Sequence, residues 1–549
     1  MFGLVCVLLE VERHQMSIAG RLTVCLLAAL IWTGCSAGPG DLPCERDRRC
    51  VRYGISADIP ILDPHIAESK EAGIVLRQIF DSLVYRDPDT HEIVPGLATD
   101  WQVSPDSLQY TFNLRQGLNF HDGSKFDAAA VVANIERIYD SEMPISYARE
   151  LLGPLSQYEV LGDYSIRLTL ASPFPAFMDS LAQPFLGMAS PAALEAYNVL
   201  RHQFHLAGTG PFRLAEYLPG ERVILRRFEE YRVNPVLYSE RVGTEIERIE
   251  FLITRGEELD ALIELDQMLD VIDNVSPSEA QNLAGNSRVQ LLPTEIPGTA
   301  VQFLFNTRRE HISRREVRLA LLLATNRVAI IDQVYFNFSP VAWAPLSEST
   351  GYSHTGYINR YEFDLDAAQE LLAAAGYTDS DGDGILEHGD APLSLSIVLP
   401  PWGGMPAVAS ILQRQWRAIG IDLRIEPVPG ATRLASLIRS GQHDLLPVES
   451  YGIDPQVLNP VFLDNGEYAS SRAAQPQLNE LLLSTMQLVD PELRRSQVYT
   501  IQALIMDEVL ILPIREAVRL TAARADLANL RFDAYGFYPL LHNVSFADS

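Results

Sequence analysis

At 549 residues the chain exceeds what one hydrophobic core usually organises, so at least two compact bodies are expected. Apolar residues make up 47% and charged residues 21%, the balance of an ordered soluble protein rather than a disordered one. A formal net charge of -28 excludes the basic surface that nucleic-acid binding requires and suits solubility outside the cytoplasm.

In chain order, Arg21 precedes an uncharged run over residues 22–32, which ends in Thr33, Gly34 and Cys35. That is the pattern of a signal peptide, with Met16 as its natural start because Glu10, Glu12 and Arg13 interrupt the apolar residues before it. The run is too short to span a bilayer, which takes ~20 apolar residues, and no later stretch supplies one. Trp32-Thr33-Gly34-Cys35 resembles a lipobox, whose cysteine becomes acylated, although Trp32 stands where that motif usually has Leu. Residues 1–35 are read as the signal peptide, Cys35 as a lipidation site, and residues 36–50 as a polar tether. Cys44 and Cys50 either pair in an oxidising compartment or remain thiols in that tether.

Order is expected to begin with a strand near 51–56. Tyr110, Phe112 and Leu114 alternate with Gln109, Thr111, Asn113 and Arg115, which predicts a strand with one buried face. Tyr164, Ile166, Leu168 and Leu170 repeat the pattern, so both strands fit one partly antiparallel sheet. Helices are expected over 127–139 and, as one continuous element, over 314–334. Asp366 and Gln369 form a capping box for a helix stopped at Gly376. A further helix over 407–419 closes at Gly420 and runs into the alternating strand 421–426, an α/β unit.

Motifs of chemistry are few. There is no P-loop, nucleophile elbow, zinc helix or paired-cysteine ribbon, and Pro211 and Arg213 disqualify Gly208-Thr209-Gly210 as a dinucleotide turn. His202 and His205 have no further ligand at metal spacing and are read as surface residues. Asp379, Asp381, Asp383 and Gly384, with Asp390 in the place of the usual bidentate Glu, have the spacing of a calcium loop. The plainer alternative is a polar turn leading to a strand near 393–399. No catalytic residue, metal or cofactor is assigned.

Several segments together point to one family. Leu97-Ala98-Thr99-Asp100-Trp101, residues 110–115 and Phe120-His121-Asp122-Gly123 are followed, in order, by Gly208-Thr209-Gly210-Pro211-Phe212. Phe305-Asn306-Thr307 ahead of Val317-Arg318, and Ala374-Ala375-Gly376-Tyr377, complete the series. This set resembles the extracellular solute-binding proteins of family 5, the peptide- and nickel-binding receptors of ABC importers, over residues 51–539.

The resemblance implies an α/β, two-lobed, periplasmic-binding-protein-like fold of the large class, with an extra domain in the first lobe and two hinge crossovers. Lobe I would comprise 51–81, 208–295 and 512–549, the extra domain 82–207, and lobe II 296–511, with crossings near 293–298 and 511–513. It implies a non-enzymatic receptor that closes on a small solute, foremost an oligopeptide, and delivers it to membrane permease subunits. Nickel chelates, opines and sugars are the alternatives within the family, and an exported hydrolase is the alternative from another class. The protein would be a periplasmic or cell-surface monomer, lipid-anchored, with no nucleic-acid partner.

By position in the family, Trp402, Met405, Glu449, Tyr451 and Asp454 would line the cleft, with Asp63 and His65 as further ligand-binding candidates. Trp402 and Tyr451 offer flat contact area, Met405 an adaptable one, and Glu449 or Asp454 a charge for a cationic group; each aromatic would serve equally in lobe packing. Tyr451 and Gly452 stand where peptide receptors of the family often carry their anchoring aspartate. The nickel subgroup would suggest a histidine in 454–468 and an arginine in 183–188, and neither is present.

Overall fold

The computed structural model describes residues 44, 49–140, 143–144, 146–233, 235–238, 245–254, 265, 268–400, 404–428 and 430–547. Residues 48–549 form one unit and 1–47 another. Of the latter Cys44 is described, and the signal peptide and Cys35 lie outside the described residues. Cys44 and Cys50 are each disulfide-bonded, so neither remains a thiol.

The chain enters with strand β1 (Cys50–Ile55) and helix α1 (Lys70–Ile79), which Ser69 caps by accepting from the Ala72 N–H. It then builds a four-stranded antiparallel sheet from β2 (Ala98–Val103), β3 (Gln109–Leu114), β4 (Leu155–Gly162) and β5 (Ser165–Leu170), in the order β2-β3-β5-β4. Tyr110 pairs with Leu168 and Phe112 with Ile166, so the alternation expected from sequence places all four in the core. Burying each such side chain contributes about 2 kcal/mol. Helix α2 (Ala128–Tyr139), capped by Asp127, lays Val131, Ile135 and Ile138 into the same core.

From there the chain runs through β6 (Phe212–Leu218), β7 (Arg222–Arg227), β8 (Arg248–Ile253), β9 (Val271–Ile272) and β10 (Val289–Glu295). A second sheet follows, made of β11 (Val301–Phe305), β12 (Ser394–Leu399), β13 (Asp422–Pro427), β14 (Leu445–Val448) and β15 (Ile511–Arg515), in the order β13-β12-β14-β11-β15. The last long strand, β16 (Val518–Arg524), returns to the earlier sheet and completes seven strands in the order β10-β16-β9-β1-β8-β7-β6. Two sheets joined by two chain passages, 296–300 and 516–517, are the framework of the two lobes.

The second passage lies beyond the 511–513 that the sequence suggests. Pro513 reads as a strand breaker, yet it sits on β15, at the edge of its sheet, where a missing donor is tolerated. The expected helix over 314–334 is two helices, α3 (Arg315–Leu323) and α4 (Arg327–Tyr335). The break is fixed by Asn326, which caps α4 by accepting from the Ala329 N–H at 2.9 Å, and by Thr325, whose hydroxyl accepts from Trp416 Nε1 at 3.0 Å. Helix α5 (Leu365–Ala374) starts two positions earlier than the proposed capping box requires: Asp364, not Asp366, takes the cap and accepts from Ala367 N–H. Helix α6 (Met405–Arg417) begins just after Gly404 and leads through Gly420, at φ +81, into β13. Among the described residues no helix is long and apolar enough to cross a membrane.

Candidate functional site

The segment following β14 is laced to the first passage between the lobes. Thr299 N–H donates to the Ser450 carbonyl, Ser450 N–H to Thr299 Oγ1, and Gly452 N–H to the Pro297 carbonyl, each at 2.8 Å. Gly298 allows this approach: with φ +154, a Cβ there would lie 2.1 Å from the Ser450 carbonyl oxygen. Residues 449–454 are thereby held where the chain leaves one sheet for the other.

Tyr451, 43% exposed, projects from this segment and meets Phe537 edge-on, with ring centroids 5.1 Å apart. Phe537 belongs to the returning chain of the first lobe, and Arg519 Nη1 fixes its position by donating to the Phe537 carbonyl at 2.6 Å. Lys70 Nζ, carried by the first turn of α1, lies 5.7 Å from the centre of the same Phe537 ring. Glu449 is half-buried and hydrogen-bonded to the Tyr451 hydroxyl. Beneath them Arg515 stacks on Tyr335, 4.6 Å from the ring centroid. Tyr451 of the second lobe, with Glu449 and Arg515 near it, thus meets Phe537 of the first, which Lys70 adjoins.

Asp454 is committed elsewhere. Arg494 grips it with both terminal nitrogens, at 2.7 and 2.8 Å, and it caps the short turn Pro455–Leu458. Its charge is felt across the lobes by Asp179, whose pKa is raised first by burial and also by Asp454.

Asp63 and His65 are both fully buried. Asp63 accepts from Arg137 at 2.6 and 2.9 Å and is bonded to His202 Nδ1 at 2.7 Å. Burial by itself would raise the Asp63 pKa, but the bonds to His202 and Arg137 hold the carboxyl well below the usual range. Arg137 also donates to His65 Nδ1 at 2.7 Å; burial and that neighbouring charge lower the His65 pKa to about 3, so the ring is neutral. The cluster clamps α2 and the helix Val199–His202 to the loop after β1. His202, read from sequence as a surface residue, is completely buried because it is part of this clamp, whereas His205 is exposed.

Met405 is 1% exposed and packed in the core at the start of α6, and Trp402 lies outside the described residues. The acidic loop brings the Asp379, Asp381, Asp383 and Glu387 carboxylates within 4.8 Å of one another; Glu387, not Asp390, completes the group. Asp379 accepts from the Gly382 and Gly384 N–H groups and Glu387 from Ser380, the bonding of a polar turn.

Residues 92–469 match the family model described as bacterial extracellular solute-binding proteins, family 5 Middle. The chain belongs to that family. Among curated relatives of this family 5 protein, the glutathione-binding protein GsiB of Salmonella paratyphi A is 26% identical over 401 residues, 72% of each chain. Among solved structures, NikA from Brucella suis in complex with Fe(III)-EDTA has a TM-score of 0.80 at 20% identity, covering 90% of this chain and 99% of that one. The dipeptide binding protein from Pseudoalteromonas sp. SM9913 in complex with Met-Leu has a TM-score of 0.72 at 22% identity, covering 90% and 100%. The fold is therefore the two-lobed α/β binding-protein fold, and the protein is a solute-binding component of an ABC importer.

Lys70, Phe537, Arg515 and Tyr335 belong to this candidate site, and the family 5 resemblance did not single them out. A sequence signal exists for one of them: Phe532, Tyr535, Phe537 and Tyr538 crowd around Gly536, an aromatic density unusual for a mere return segment. Gly536 itself, at φ +73, brings that loop against the first passage, where a Cβ would lie 2.7 Å from the Glu295 carbonyl oxygen.

Proposed function

We propose that this protein captures a short peptide between its lobes and delivers it unaltered to the membrane permease. The observation that carries the reading is the contact of Tyr451, beside Glu449 in one lobe, with Phe537, beside Lys70 in the other. A peptide main chain carries an ammonium at one end and a carboxylate at the other; Glu449 suits the first and Lys70 the second, with the Tyr451 and Phe537 rings offering apolar surface beside them. Glu449 takes the anchoring role in preference to Asp454, whose carboxylate Arg494 already occupies on both oxygens. Relatives named for glutathione, and a neighbour of like fold bound to Met-Leu, support the same ligand class. In this reading Met405 packs in the core of the second lobe, and Asp63 and His65 stabilise the first lobe. Export and attachment through lipidated Cys35 would hold the receptor, a monomer in this reading, beside its permease.

The test is thermal unfolding with glutathione, Met-Leu and a nickel–histidine chelate, with peptides recovered for mass spectrometry. A peptide at a hundredfold its dissociation constant stabilises the folded form by about 2.7 kcal/mol and should be recovered intact. Cleaved peptides would instead identify a hydrolase, and stabilisation by the chelate alone would identify a metal receptor.

A further inference from the structure

The second passage between the lobes carries a carboxyl group in an unfavourable setting for charge. Glu516 stands between β15 and β16, 8% exposed, and its Oε2 has no hydrogen-bond partner among the described residues. Its backbone is pinned to the second lobe. The Glu516 N–H donates to the Pro340 carbonyl at 2.9 Å, and the Glu516 carbonyl accepts from Ser339 Oγ at 2.5 Å and from Arg515 Nη1 at 2.9 Å.

Two more acids bear on it through their charge: Glu295, the last residue of β10 in the first lobe, and Glu348, at the start of the turn Glu348–Thr350 in the second. The cation among these neighbours is Arg515, whose guanidinium lies over the Tyr335 ring. Residues 338–342, packed against the Glu516 backbone, contribute no charged side chain. Three carboxyl groups and one guanidinium therefore influence one another where the chain passes from lobe to lobe, and the two flanking acids belong to different lobes.

We infer that Glu516 is a proton-sensitive latch on lobe movement, its neutral form holding the arrangement seen here and its ionised form favouring separation of the lobes. This rests on the receptor reading, which requires the lobes to move about these passages. An ionised Glu516 would be stripped of water and repelled by Glu295 and Glu348 together; parting the lobes hydrates it and moves one of those charges away. Burial first, then the charges of Glu348 and Glu295, push the Glu516 pKa from 4.5 to about 8, against the opposing pull of the Glu348 backbone N–H and the Arg515 guanidinium. A separated arrangement with a hydrated Glu516 titrates near the ordinary 4.5. The present arrangement thus holds an extra proton between those values: it is fully favoured below pH 4.5, loses its advantage as pH rises toward about 8, and changes no further above that.

Small-angle scattering of the full chain without ligand, from about pH 5 to about pH 9, tests this on the wild type and on Glu516→Gln. The wild-type radius of gyration should grow up to about pH 8 and then level off, while E516Q, which cannot ionise, should keep the low-pH value throughout. If E516Q fails to fold by circular dichroism, the double variant Glu295→Gln, Glu348→Gln replaces it and should end the transition at lower pH. A wild type indifferent to pH, an E516Q that follows the wild type, or a double variant with an unmoved transition overturns the inference. Compaction on adding glutathione or Met-Leu, without any pH response, would discard the latch and keep the receptor; scattering fixed under every condition would discard both.

Discussion

Two carboxylates near each other in sequence, Glu449 and Asp454, have different work to do, and their partners decide it. Asp454 and Arg494 have side chains 11% and 6% exposed, so removing the cation strands a buried charge. Arg494→Ala should therefore lower unfolding free energy by about 3 kcal/mol in a urea titration. Glu449→Gln should change stability by less than about 0.5 kcal/mol, yet abolish most of the peptide-induced rise in Tm. The reverse pattern would return the anchoring role to Asp454. Sequence reading reached both acids but not the distinction, since Arg494 lies 40 residues away from Asp454. The same distance effect hides the clamp: Asp63 is legible as a polar residue after β1, while Arg137 and His202 are 74 and 139 residues further on.

Elements were legible where a local pattern is enough. Alternation gave β3 and β5, and glycine stops at 376 and 420 gave the ends of α5 and α6. Tertiary partners decided the rest. The apolar period runs through the junction of α3 and α4 unbroken, and the bonds from Trp416 to Thr325 and from Asn326 N–H to Gln415 join the Asn326 cap in stopping the first helix. Gly298 shows how an element junction reaches the site. An added Cβ would collide with the Ser450 carbonyl, backbone that can move only by displacing residues 449–451. Gly298→Ala should cost about 1–3 kcal/mol as overpacking does, and should also weaken peptide binding at least about tenfold by shifting Glu449 and Tyr451. Isothermal titration beside urea unfolding checks both; lost stability with unchanged affinity would separate this contact from the site.

At the scale of the whole molecule, the order of family motifs made two lobes legible, but the place of the second passage and the role of the returning tail depend on strand order, which no single segment encodes. That strand order carries a consequence for independent folding. The second lobe is one continuous stretch whose first and last strands are neighbours: Phe303 pairs with Leu512 and Leu304 with Ile511. Cutting out residues 298–516 leaves all five strands of its sheet with their partners, and an apolar cluster that includes Leu304, Val448, Ile501 and Ile511 remains intact. The first lobe is different, because β16 lies between β10 and β9 and arrives only after the second lobe is complete. A fragment of residues 49–297 lacks that interior strand and exposes the unpaired flanks of both neighbours, including the whole register from Val289 to Glu295. Expressed alone, 298–516 should unfold cooperatively in urea when followed by circular dichroism, whereas 49–297 should show no cooperative transition until a peptide of residues 517–547 is added. Cooperative unfolding of 49–297 by itself would mean that β16 is dispensable to the seven-stranded sheet, and that the first lobe does not wait for the end of the chain to close.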